Sequence, residues 1–219
     1  FAARAGEEAP PMGIALYQRP ADGAVFAIVA PKSGPRDGYL GQYRLKLTAE
    51  GRVAAEFVRY FGRFSGSGEI EAVAVDDALG YVYYDGIHKY HADPDHPFAA
   101  QELAHFGREG FRADREGIAI YARADGTGYL VCTDQIEGNS EYHIFRREGE
   151  PGRPHDHSQR LKTVRGGADS TDGLEITSMN LGPQFPNGLV VAMNSKGRNF
   201  LIYRWEDVAA AGVRLKVGR

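Results

Sequence analysis

At 219 residues, with 42% hydrophobic and 25% charged residues, the chain has a globular makeup and enough length for a substantial core, which sets disorder aside. Its 26 basic and 29 acidic residues leave a net charge of -3, so nothing attracts it globally to nucleic acid or anionic membranes, and a polyanionic substrate must be handled locally. Cys132 is the single cysteine, which excludes an intrachain disulfide and argues against a cysteine-based zinc site; oxygen ligands remain the route to a metal.

Phe1 to Pro11 has no charged region leading into an apolar stretch, and no apolar run approaches the roughly 18 residues of a membrane span. Without an initiator Met, the chain reads as a processed or truncated product. From Met12 onward, short β-branched and aromatic runs alternate with Gly, Asp and Asn clusters, which predicts many short strands joined by turns. The first unit runs MGIALYQ from Met12, AVFAIVA from Ala24, YLGQYRLKL from Tyr39 and VAAEFVRYF from Val53. EAVAVDD from Glu71, YVYY from Tyr81, GIHKYHA from Gly86 and ELAHFG from Glu102 repeat the plan. EGIAIYA from Glu116, YLVC from Tyr129, EYHIFRRE from Glu141 and RLKTVRG from Arg160 repeat it again. LEITSMN from Leu174, LVVAM from Leu189 and FLIYRWE from Phe200 give a last unit of three strands, followed by a short helix over 205–211.

A four-strand unit recurring roughly every 45–60 residues predicts an all-β fold, a β-propeller of four-stranded antiparallel blades. A pair of β-sandwiches is the competing architecture, and the shared aromatic third strand argues against it. The expectation is one propeller domain over 1–219, with about four blades covered. Blades before Phe1 are expected to be absent, or supplied by a partner chain or fragment, because so few blades leave exposed sheet edges.

In a blade the first strand lines the central channel, and residues at its start gather at one end. Glu71, Glu116 and Glu175 are read as equivalent there, with Asp114 two residues before Glu116 on the same side of an extended strand. The ends of the second strands are polar as well: Lys32, Asp85, Asp134 with Gln135, and Asn194. Converging carboxylates repel one another unless a cation neutralises them, and oxygen-only ligands in loops suit calcium. Any one of these acids alone reads as a solvated strand end; their recurrence in register carries the metal reading. His88, His91, His96 and His105 cluster in sequence, and His155 and His157 are spaced to face one ion, but no third zinc ligand is evident. No strand-to-helix elbow presents a nucleophilic serine.

GIHKYHADPD from Gly86, DREGIAIY from Asp114, GYLVCTDQ from Gly128 with its EGNSEYHIFRREG continuation, STDGLEIT from Ser170 and LGPQFPNGLVVAMNS from Leu181 follow one another in an order that resembles the β-propeller phytases over essentially the whole chain. The resemblance implies a six-bladed propeller of which this is the C-terminal portion. It implies a calcium-dependent phosphohydrolase that removes phosphate from inositol hexakisphosphate (phytate), several calcium ions activating a water in place of a protein nucleophile. It places Glu71, Asp114, Glu116, Gln135 and Asp172 at calcium-ligand positions, with Asp114, Glu116 and Asp172 nearest the chemistry. Glu175 and Asn194 are weaker matches, and Asp134 is grouped with them. Lys32 resembles a phosphate-contacting lysine, and Asp85 the remnant of a longer acidic loop that the family carries. Secretion or a periplasmic location follows from the same resemblance.

Three departures accompany it. The N-terminal motif with further phosphate ligands does not precede Phe1, YVYYDGIHKY is shorter than the family pattern, and Met12 stands where a tyrosine is usual. A calcium-propeller hydrolase of another ester, such as a lactone, and a non-catalytic binding module are the competing readings.

Overall fold

A computed structural model of the chain describes residues 10–66 and 69–210. The apolar runs form strands and the Gly- and Asp-bearing segments form the turns between them. The first blade comprises β1 (Pro11–Gln18), β2 (Val25–Pro31), β3 (Asp37–Leu47) and β4 (Val53–Arg63), and the second comprises β5 (Val73–Asp76), β6 (Tyr81–Tyr84), β7 (His88–His91) and β8 (Ala104–His105). The third holds β9 (Ile118–Ala122), β10 (Gly128–Asp134), β11 (Glu141–Arg146) and β12 (Arg160–Arg165). The fourth holds β13 (Leu174–Thr177), β14 (Leu189–Asn194) and β15 (Asn199–Arg204), followed by the short helix α1 (Trp205–Ala210).

In every sheet the strands lie side by side in chain order, and each neighbouring pair is antiparallel. The fold class is therefore all-β and of the β-propeller type, with three four-stranded blades and one of three strands among the described residues. Such meanders form because each tight turn returns the chain beside the strand it has just left. The β9–β10 turn shows the chemistry: Gly126 takes a left-handed φ of 81°, and Asp125 Oδ1 accepts the Thr127 backbone N–H at 3.0 Å. One expected strand contracts. ELAHFG pairs only over Ala104 and His105, because the Glu102 side chain turns to His88 and Tyr90.

The chain divides into two compact units, residues 1–105 and 106–219. In the first, Tyr17, Phe26, Ile28, Leu40, Phe61, Val82, Tyr84 and Tyr90 form one buried core contributed by both blades. Arg59 of β4 joins those blades, donating to the Gln42 side chain at 2.6 Å and to the carbonyls of Ala99 and His91 at 2.8 Å each. In the second, Tyr121, Val131, Tyr142, Ile144, Ile176, Val190 and Trp205 share a core. Trp205 stacks on Tyr121 at a centroid distance of 3.9 Å. Lys162 donates to the carbonyls of Val208 and Ala209 at 2.8 and 2.9 Å, so a cation satisfies the C-terminal end of α1.

First strands of neighbouring blades approach closely enough to require glycine. A Cβ on Gly13 would stand 2.5 Å from the Glu71 carbonyl oxygen, and one on Gly117 would stand 3.0 Å from the Leu174 backbone nitrogen. These glycines occupy the same position in MGIALYQ and EGIAIYA, and so mark where a first strand meets the next blade.

Candidate metal and phosphate site

In the third blade the backbone leading into β9 is fixed by side chains from the end of β10. Arg112 and Ala113 donate their backbone N–H groups to the two Asp134 carboxylate oxygens at 2.9 and 2.8 Å. Gln135 N–H then bonds to the Asp114 carbonyl at 3.0 Å, and Thr133 N–H to the Gly117 carbonyl at 2.9 Å. The fourth blade repeats the scheme: Asp169 N–H donates to Asn194 Oδ1 at 3.0 Å, Ser195 N–H to the Asp169 carbonyl at 3.0 Å, and Met193 N–H to the Gly173 carbonyl at 3.1 Å. Asp134 and Asn194 thus do one job in successive blades, satisfying backbone donors that the open chain would otherwise leave unpaired.

Three of the expected ligands make hydrogen bonds within the fold. Asp134 is fully buried with both oxygens engaged, and Asn194 bonds Asp169 through its oxygen and Asn199 through its amide nitrogen. Both brace the approach to a first strand. Matching Gly117 to Gly173 makes Asp172, not Glu175, the counterpart of Glu116. Glu175 lies inside β13 opposite Val191, exposed, with its carboxylate accepting the Ile176 N–H at 2.8 Å. The acid in LEIT stands close enough to the strand start to mimic the repeat when only the sequence pattern is compared.

Of the remaining candidates of this unit, two are joined through their side chains. Gln135 Nε2 donates to Asp172 Oδ1 at 2.6 Å, which links the end of β10 to the residue before β13. Asp114 shares a backbone bond with Gln135, and Glu116 follows two residues on. Asp114 and Asp172 are exposed, whereas Glu116 and Gln135 are half-buried. The arrangement offers three carboxylates and, from Gln135, the amide oxygen that its nitrogen's bond to Asp172 leaves available. Asp114, Glu116 and Asp172 are not one of the two groups of three among the described residues whose ligand atoms already lie within 4.8 Å of one another; what they supply with Gln135 is oxygen donors of the type calcium takes, about six to eight of them with water included.

Behind Asp134 lies a cluster that the sequence did not indicate. Asp134, Glu141 and His143 form one of two groups of three among the described residues whose ligand atoms could hold a metal ion. Here guanidinium groups stand in for a cation. Arg112 and Arg165 contact Glu141 Oε1 at 2.7 and 3.3 Å, and Arg160 Nη1 lies 2.8 Å from His143 Nδ1. Burial first, and then the Arg160 charge, push the His143 imidazole down to about 4, so it stays neutral near pH 7.

In the first unit, Lys32 follows β2 and bonds through its N–H to the Pro10 carbonyl at 2.8 Å, as Gln135 bonds to Asp114. Its ammonium lies 3.0 Å from Glu69 Oε1. Glu69 was not singled out from the sequence, because the Gly-rich run before it reads as loop. Glu71 is half-buried at the entry to β5, and its carbonyl packs against Gly13. Asp85 opens a 3-10 turn over Asp85–Ile87, and its side chain lies outside the described residues.

Residues 7–216 match the family model described as Phytase. Among curated proteins, the 3-phytase of Bacillus subtilis (strain 168) is 29% identical over 209 residues, covering 90% of this chain and 52% of that protein. The chain therefore spans about half the length of this curated relative. Among solved structures, a chain of Chaetomium thermophilum Polycomb Repressive Complex 2 bound to GSK126 superposes with a TM-score of 0.60 at 14% identity, covering 91% of this chain and 40% of that one. The apo complex in an autoinhibited state gives a TM-score of 0.57 at 13% identity, covering 91% and 39% respectively. At such identities these two likenesses concern the fold alone.

Proposed function

The chain belongs to the phytase family, and from that premise we propose that it forms part of a calcium-dependent phosphohydrolase whose substrate is inositol hexakisphosphate. The observation that carries this reading is the Gln135–Asp172 bond at 2.6 Å, which brings oxygen donors of two successive blades to one place. Asp114, Glu116, Gln135 and Asp172 would hold the ion. Calcium, when bound there, supplies positive charge that polarises phosphoryl oxygens and makes a water more acidic.

The chain's own residues do the rest by positioning and charge. Asp134 fixes the backbone at Arg112 and Ala113, and so sets where Asp114 and Glu116 point. Lys32 offers a cation to a phosphate oxygen, and Glu69 keeps that cation extended and partly neutralised until a stronger anion displaces it. A secreted or periplasmic location, where calcium is plentiful, suits this chemistry.

The test is phosphate release from inositol hexakisphosphate by the complete protein, with and without calcium. We expect release that depends on calcium, is abolished by a chelator, and falls by about 10²-fold or more in an Asp114→Asn, Asp172→Asn double variant. Release that persists in chelator, or an unchanged rate in the double variant, would overturn the reading.

A further inference from the structure

The second blade carries another cluster, built from side chains that the calcium site does not use. β7 and β8 pair over just two residue pairs, His88 with His105 and Lys89 with Ala104. Directly paired residues project to the same face of a sheet, and the two imidazoles accordingly stack with centroids 3.9 Å apart and planes inclined by 17°. Glu102 reaches the same spot from the loop before β8. Its Oε2 lies 3.0 Å from His88 Nδ1 and accepts a hydrogen bond from the Tyr90 hydroxyl at 3.1 Å. One ligand atom from each of His88, Glu102 and His105 falls within 4.8 Å of the other two.

The backbone leaves room beside them. Gly86 has a left-handed φ of 69°, and a Cβ on it would stand 3.4 Å from His105 Nε2 and 3.5 Å from His88 Nε2. Both Nε2 atoms thus border a volume that any other residue would begin to fill. The His88 and Glu102 side chains are only 11% and 25% exposed, whereas His105 is exposed, so the cluster is anchored within the blade and reachable from solvent. Two imidazoles and a carboxylate suit zinc, whose ligand bonds of about 2.0–2.2 Å place adjacent donors about 3.3 Å apart, better than calcium.

We propose that His88, Glu102 and His105 bind a zinc ion that staples β8 to β7, with water completing the tetrahedral shell. Two residue pairs are a weak hold for an edge strand. An ion joining both strands and the preceding loop makes the outer edge of the blade depend on metal, since binding to the folded form alone adds to its stability. None of these residues belongs to the calcium set, so the proposal stands or falls apart from phosphate release.

The experiment is zinc uptake by the full chain in millimolar calcium, measured by equilibrium dialysis with elemental analysis and by calorimetry. The wild type is expected to retain one zinc per chain, to lose it on His105→Ala, and to bind it about 10–100-fold more weakly on Glu102→Gln. Cobalt in place of zinc should give the intense visible absorption of a four-coordinate ion in the wild type and not in His105→Ala. His105 is exposed, so that variant is expected to fold, and circular dichroism checks this; if it fails to fold, the Glu102→Gln affinity decides. Failure of the wild type to bind zinc at micromolar concentration, displacement of zinc by calcium, or unchanged affinity in both variants would overturn the proposal.

Discussion

His143 is enclosed completely, faced by Arg160 at its Nδ1, by Asp134 and Glu141 across the sheet, and by Arg112 beyond them. Its imidazole is held down to about 4 in the folded chain against an ordinary 6.5. Between those values the unfolded chain takes up a proton that the folded chain refuses. The neutral ring therefore contributes stability above about pH 6.5, and that contribution is lost as pH falls toward about 4. A His143→Gln variant, neutral throughout, should show a flatter fall in its urea midpoint across this window than the wild type. Parallel curves would show that other groups govern the acid side.

Single residues were also where the sequence was least legible. The sequence marked Asp134 as an acid at a strand end but not the bonds that its carboxylate accepts. Those bonds come from two backbone N–H groups more than twenty residues upstream. Glu102 was invisible as a partner of His88 because the turn it makes after the loop, not its spacing, brings it there. Asp172 was recognised only by family resemblance; the Met193 N–H bond to the Gly173 carbonyl makes it the positional counterpart of Glu116.

At the scale of elements, strand positions were legible almost throughout, since each alternating or buried run sits between turn residues whose chemistry is local. What was not legible is how neighbouring blades hold one another. Arg59 supplies part of that hold in the first unit: its guanidinium lies over Phe61 at 4.2 Å while its donors reach Gln42 and two carbonyls near β7. Burial lowers its pKa to about 10, leaving it charged at neutral pH. Arg59→Met keeps the stem and removes the donors, stranding half-buried acceptors. The expected loss is about 3 kcal/mol of stability, read from denaturant midpoints. A loss under about 0.5 kcal/mol would mean that solvent replaces those bonds without cost.

At a larger scale, one arrangement recurs in the third and fourth blades: a polar residue ends the second strand and braces the approach to the first, whose entry carries an acid. Glu116 and Asp172 are successive occupants of that entry, with Glu71 and Met12 at the corresponding places by sequence pattern. Met12 and Lys32 depart from the acidic set in the first blade. The calcium role proposed for these donors rests on the family assignment, and the Gln135–Asp172 bond links two of them. The most direct measurement is calcium binding by calorimetry, comparing the chain with its Asp114→Asn, Asp172→Asn double variant. The variant is expected to keep its fold and lose at least one bound calcium; an unchanged stoichiometry and affinity would contradict a site built on Asp114 and Asp172.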